Sequence, residues 1–210
     1  MANIFDLFKQ ISTGNEVKTL PVEYIVVGLG NPGKEYETTR HNAGFLAIDY
    51  IAEKKGARID RARFKSLTSV VDINGKGVLL MKPQTYMNNS GEAVGEASRF
   101  YKIAPSNIVV ISDDVNLDVG RLRVRKSGSA GGQKGLNDII EVLSTEAIPR
   151  LRVGVGKKPH PDYDIKDWVL SNFSSAEMKT LSESYSRVAE GIEKIIAGDI
   201  DGAMQICNGK

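Results

Sequence analysis

The 210 residues are 26% charged and 41% hydrophobic with a net charge of +2, the balance of an ordinary globular chain long enough to bury the core of one α/β domain. No apolar run is long enough to span a membrane, and Asp6 within the apolar part of Met1 to Gln10 argues against a secretory signal. With Cys207 the sole cysteine and His41 and His160 the only histidines, an internal disulfide and a His/Cys metal site are excluded, and a reducing cytoplasm is the expected location.

Met1 to Pro21 is expected to be an N-terminal extension ahead of a domain over 22–210. Its Ile4, Phe5, Leu7, Phe8 and Ile11 suit one face of a short helix that Ser12 to Asn15 breaks. The continuous apolar run Ile25 to Val27 predicts a strand buried on both faces, stopped by Gly28-Leu29-Gly30-Asn31-Pro32-Gly33. That hexapeptide has the spacing of a dinucleotide fingerprint. However, Pro32 removes a donor the pyrophosphate would need, and Lys34 to Thr39 lacks a helical apolar face. A helix with a buried side begins only near Asn42. What remains is a loop presenting Asn31, Tyr36 and His41 from a strand end, where open α/β sheets carry their sites. A lone histidine at a helix start can equally well be a cap or a filler, so the rest of the chain has to decide.

Arg63 to Asp72 and Gly77 to Pro83 predict two strands joined at Asn74-Gly75, a strong hairpin signal. The second leads into Thr85-Tyr86-Met87-Asn88-Asn89-Ser90-Gly91-Glu92, where Asn89 is expected to cap a helix with Glu92 reaching back, leaving Asn88 free to point elsewhere. Ile108 to Ile111 predicts a second buried strand, ending in the acid pair Asp113-Asp114. Arg121-Leu122-Arg123-Val124-Arg125 alternates strictly and would place three guanidinium groups on one face, at intervals of roughly 7 Å that suit phosphates along a nucleic acid. The same alternation also suits an edge strand kept soluble by charge.

Between Val119 and Lys158 nine basic residues face three acids, whereas from Pro161 onward nine acids face five bases, so the positive charge is local. The glycine-rich Ser127 to Gly135 predicts a flexible loop whose N–H groups and Lys134 can meet an anion, before a helix over Leu136 to Leu143. Arg150 to Gly156 alternates as another strand, and His160 falls in loop. Ser174-Ser175-Ala176-Glu177 is a capping box opening a long helix to about Ala197, with Gly198 its expected stop.

Taken together, Gly28-Leu29-Gly30-Asn31-Pro32-Gly33 with Tyr36, Thr39-Arg40-His41-Asn42-Ala43-Gly44, Thr85 to Gly91, Asp113, and Gly131-Gly132 with Gly135-Leu136 resemble the bacterial peptidyl-tRNA hydrolase family, in the family's order across about Tyr24 to Ala197. The resemblance implies a single α/β domain with a mixed, largely parallel sheet flanked by helices. It implies hydrolysis of the ester between peptide and tRNA by a monomer that needs neither metal nor cofactor. His41 would be the base, Asp113 its orienting partner, and Asn31 and Asn88 the amides that place the peptide end. Tyr36 and Tyr86 would meet the ester or tRNA end, and Arg123 and Arg152 the tRNA. One position departs from the pattern: Gln133-Lys134 stands where the family usually has His-Asn, so a substrate contact there is in question. The alternative is an RNA-binding relative that has lost hydrolysis; joint retention of His41, Asp113 and the amides argues against it, because binding alone requires no oriented base.

Overall fold

In the computed structural model, which describes residues 20–209, the continuous apolar run becomes the central strand β1 (Val22–Gly28). Ile25, Val26 and Val27 are wholly buried. The extension Met1–Pro21 lies outside the described residues apart from its last two.

Two 3₁₀ turns, Lys34–Tyr36 and Arg40–Asn42, lead from β1 into α1 (Ala43–Lys54). Strands β2 (Arg61–Arg63), β3 (Ser66–Ile73) and β4 (Lys76–Pro83) follow as a meander. Asn74 and Gly75 take φ of 56° and 77°, the left-handed pair of a type I′ hairpin. The expected strand from Arg63 is split, because Phe64 and Lys65 also take positive φ, 51° and 50°, and turn β2 back on β3. Packing holds this second turn: the Phe64 ring lies 5.2 Å from Phe100 and 5.6 Å from Tyr101.

The remaining elements are α2 (Ser90–Tyr101), β5 (Ile108–Asp114), β6 (Leu122–Arg125), α3 (Lys134–Leu143), β7 (Arg150–Gly154), α4 (Ile165–Leu170), α5 (Ser175–Ile196) and α6 (Ile200–Asn208). The sheet runs β2-β3-β4-β1-β5-β7-β6, parallel through β4-β1-β5-β7 and antiparallel at both margins. This is the expected mixed α/β sheet. Alternation along each strand sends Val26, Leu80 and Val109 into a core beneath α1, α5 and α6, and Ile25, Leu79 and Val110 into a second beneath α2 and α3. At the β6 edge the Asn208 side chain bonds both N–H and C=O of Val124, at 2.6 and 3.2 Å, and so covers an otherwise open ladder.

The capping box of α5 forms as expected, with Ser174 Oγ accepting from Glu177 N–H and Glu177 Oε2 from Ser174 N–H. That expected at α2 does not. Asn89 makes no side-chain cap; Asp138 of α3 accepts the Gly91 N–H at 2.6 Å, and Glu92 pairs with Lys65. The reason is proximity: a Cβ on Gly91 would lie 2.4 Å from the Asp138 carbonyl, so a neighbouring helix is close enough to supply the acceptor.

A still closer approach occurs at the centre. A Cβ on Gly28 would lie 2.2 Å from the Gly44 carbonyl oxygen, and one on Gly44 would lie 2.4 Å from Leu29 N and 2.5 Å from Ile111 O. The first turn of α1 therefore rides directly on the ends of β1 and β5. Gly44→Ala must push helix and strands apart and is expected to cost about 3 kcal/mol or more. Urea unfolding with an unchanged m-value checks this; a midpoint equal to that of the native chain would show that the contact can relax.

Candidate active site

The ends of β1 and β5 and the turns that follow them surround a cleft of about 590 Å³. On one side the Arg40–Asn42 turn sets His41 so that Nδ1 lies 2.9 Å from Asp113 Oδ2 at the C-terminal end of β5. Asp113 is 6% exposed, so this carboxylate is held by protein groups rather than water. Its other oxygen, Oδ1, accepts from Gln133 Nε2 at 3.1 Å.

Asn31 and Asn42 lock the loop beneath His41. Asn31 N–H donates to Asn42 Oδ1 at 2.8 Å, and Asn42 Nδ2 donates to the Asn31 carbonyl at 2.9 Å. The Asn31 side chain accepts the Met87 N–H through Oδ1 at 2.9 Å. Because an N–H can only donate, this bond fixes the flip of the amide and leaves Nδ2 as the donor on the cleft side.

Asn88, exposed on the Met87–Asn89 turn, also lines the cleft, as does Tyr86, 54% exposed and held at φ 58°. A tyrosine in that region is strained by about 1–3 kcal/mol, and such strain collects where a side chain must be aimed. Lys134, the first residue of α3, and Arg152 of β7 add positive charge to the lining. Arg152 Nη2 lies 2.8 Å from Asp114 Oδ2, so each acid of the pair that ends β5 has a basic partner. Two sequence candidates stand apart. Tyr36 is half-buried in the first 3₁₀ turn and is not among the cleft-lining residues. Arg123 is exposed on β6 directly opposite Arg152, outside the cleft.

Residues 25–210 match the family model for peptidyl-tRNA hydrolase. The chain belongs to the peptidyl-tRNA hydrolase family. It is 47% identical over 188 residues to the peptidyl-tRNA hydrolase of Caldicellulosiruptor bescii, covering 90% of this chain and 98% of that one. With the Thermoanaerobacter sp. peptidyl-tRNA hydrolase it shares 46% over 186 residues, 89% of this chain and 100% of that one. The crystal structure of the Acinetobacter baumannii peptidyl-tRNA hydrolase superposes with a TM-score of 0.83 at 32% identity, covering 90% and 96% of the two chains.

Against the peptidyl-tRNA hydrolase pattern, several residues that shape the cleft were not singled out from the sequence. Arg150, one of the nine basic residues of the positive segment, is 2% exposed. Its guanidinium donates to the carbonyls of Gly128, Ser129, Glu146 and Ile148 and so pins the start of the glycine-rich loop. Burial draws its pKa down from the usual arginine value, which still leaves a guanidinium charged. The apolar wall of the cleft comes from Ile165, Val169 and Leu170 of α4, a helix too short to show a period.

Arg40, next to His41, anchors that wall. It is 4% exposed and stacks 3.7 Å from the Trp168 ring centroid. Its Nη1 donates to the Val155 carbonyl at 2.8 Å, and its Nη2 lies 2.9 Å from Glu177 Oε1. Burial raises the Glu177 carboxyl, but hydrogen bonds from Ser174 and the Arg40 guanidinium outweigh it and hold the pKa below its ordinary 4.5. A depressed folded-state pKa contributes stability that is present above the unfolded value and lost as pH falls through the folded one. Glu177→Gln is therefore expected to lower the thermal midpoint near neutrality, with the gap to the native chain closing as the pH is taken below 4.5. A gap that stays constant across that acid window would refute the assignment.

Proposed function

We propose that the cleft hydrolyses the ester between a peptide, or an N-acyl amino acid, and the terminal ribose of tRNA, releasing free tRNA from aborted translation. The observation that carries this is the 2.9 Å contact of His41 Nδ1 with buried Asp113, set in a cleft that also presents the Asn31 amide. A carboxylate only accepts, so Nδ1 carries the proton and Nε2 the lone pair.

Nε2 takes a proton from water as the water oxygen bonds to the ester carbonyl carbon. Asn31 Nδ2 meets the oxyanion, a role for which its Oδ1 bond to Met87 N–H has already oriented it. Collapse breaks the bond from carbon to ribose oxygen, and the imidazolium returns its proton to the leaving hydroxyl. Asn88 and Tyr86 flank the peptide and ester, the α4 wall takes apolar side chains, and Lys134 and Arg152 face the terminal phosphates. Arg123 and Tyr36 meet tRNA outside the cleft. Since one chain supplies every one of these groups, the enzyme acts as a monomer, and its substrate sets its place in the cytoplasm. A silent RNA-binding chain would have no use for an oriented imidazole.

Release of the acyl amino acid from an N-acyl-aminoacyl-tRNA tests the reading. His41→Ala should lower turnover by about 10³-fold with little change in tRNA affinity, and Asp113→Asn should lower it by favouring the wrong tautomer. Turnover by His41→Ala at the native rate would sink the mechanism.

The tRNA path has a separate test. Truncating Arg152 would strand the buried Asp114 charge, so the exposed Arg123 and Lys134, which have no ion-pair partner among the described residues, are the better probes. Arg123→Gln with Lys134→Gln should weaken tRNA binding and reduce the slope of log affinity against log salt by about one to two. An unchanged slope would place the tRNA elsewhere.

A further inference from the structure

Asp113 is gripped from two sides, and only one of them is the histidine. Gln133 sits at the N-cap of α3, where its Oε1 accepts the Leu136 N–H at 2.6 Å. That bond consumes the acceptor end of the amide and fixes its flip, so Nε2 is the end that meets Asp113 Oδ1 at 3.1 Å, with Met87 Sδ at 3.0 Å on the same nitrogen. The result is a relay from a helix end to the base: Leu136 N–H to Gln133, Gln133 to Asp113, and Asp113 to His41 Nδ1–H.

A carboxylate with one partner can still rotate about its terminal torsion. A second donor on the other oxygen fixes its plane, and therefore the direction from which it accepts the imidazole N–H. The donor here is also neutral. A cation in the same place would share the charge of Asp113 and weaken its hold on the imidazolium that forms during turnover; an amide does not, and it keeps its proton across the working pH range. Lys134, the adjacent residue, lines the cleft but makes no hydrogen bond to Asp113.

We propose that Gln133 is a positioning residue: its neutral side-chain amide, anchored on the first turn of α3, orients Asp113 and leaves the full carboxylate charge to His41. The proposal rests on the hydrolytic reading for its effect on rate, but its geometry can be tested without turnover.

Two variants separate positioning from mere capping. Gln133→Glu retains an acceptor for the Leu136 N–H and so preserves the cap, while replacing the donor to Asp113 with a second carboxylate. Gln133→Met removes both. Gln133→Met should lower the thermal midpoint, as for a lost cap, whereas Gln133→Glu, which keeps the cap, should lower it only near neutrality, where its carboxylate repels that of Asp113. Both should lower turnover at least about tenfold with KM changed by less than about threefold, the signature of a group acting through the base. In Gln133→Glu the extra negative charge favours the imidazolium, so His41 should titrate about one unit higher in its NMR ring-proton signals. His160, exposed and the only other histidine, serves as the internal reference. The other charged groups lining the cleft, Asp114, Arg152, Lys134 and Lys166, are common to both proteins and cancel in the comparison.

An unmoved His41 titration together with native turnover in Gln133→Glu would overturn the proposal and confine Gln133 to its cap. Failure of the hydrolytic reading gives a different pattern: an inactive native chain or a fully active His41→Ala, with the His41 titration still moved by Gln133→Glu.

Discussion

Two glycines in contact, Gly28 at the end of β1 and Gly44 in the first turn of α1, set the distance on which the active site depends. With a Cβ on either, helix and strand would separate, and His41, three residues before Gly44, would move with the helix. The Leu29 N–H bonds the Ile111 carbonyl at 2.9 Å, carrying the β1–β5 ladder one residue past the strand. Asn31 and Asn42 then exchange hydrogen bonds across the neck of the loop and satisfy backbone groups that the core would otherwise strand. His41 is thus delivered to Asp113 by backbone fixed on both sides. That matters because a misplacement of about 1 Å at a reacting group can cost about 10² in rate.

The charges around the cleft divide between those that face it and those that hold its frame. Asp113 and Asp114 are adjacent and both buried, yet one orients an imidazole and the other fixes Arg152. Arg150 and Arg152, two residues apart on β7, divide in the same way: one lies under the glycine-rich loop on four carbonyls, the other faces the cleft. Replacing one member of a buried pair costs about 3–5 kcal/mol, mostly because its partner is left uncompensated. These groups therefore determine where things are more than how stable the fold is. The positive segment read from the sequence is correspondingly weaker at the surface, since Arg150 is internal, Arg152 is paired, and Lys126 is bound to Asp201.

Local periodicity made the frame legible. The buried runs of β1 and β5, the Asn74-Gly75 hairpin and the Ser174 cap all follow from contacts within a few residues, and each formed as expected. The features that escaped depend on partners distant in sequence. Asp138 lies 47 residues from the N–H it caps, so a local reading of the sequence selects Asn89 instead. The turn at Phe64-Lys65 is secured by Phe100 and Tyr101, which no window around residue 64 contains. Arg150 alternates correctly for an exposed face and is nevertheless buried, because a glycine-rich loop folds over it. At the site, motif residues drew attention to His41, Asp113 and Asn31. Gln133 was legible only as a departure from the family pattern, and its contact with Asp113 needed the fold.

The apolar wall shows how far such long-range contacts reach. A six-residue helix has too few hydrogen bonds to persist alone, so α4 is held by what it packs against. Much of that is the turn carrying His41. Arg40 stacks on Trp168 and donates to Ser171 Oγ, the Arg40 N–H bonds the Ser171 carbonyl at 3.0 Å, and the Phe173 N–H bonds the Thr38 carbonyl at 3.0 Å. Trp168 Nε1 in turn donates to the Gly156 carbonyl, beyond the end of β7. The wall and His41 thus share one mount. On the proposed reading, a side chain pressing on Ile165, Val169 or Leu170 loads the same turn that sets His41 against Asp113, and Arg40 is the residue through which the fit of the substrate's apolar part would reach the imidazole.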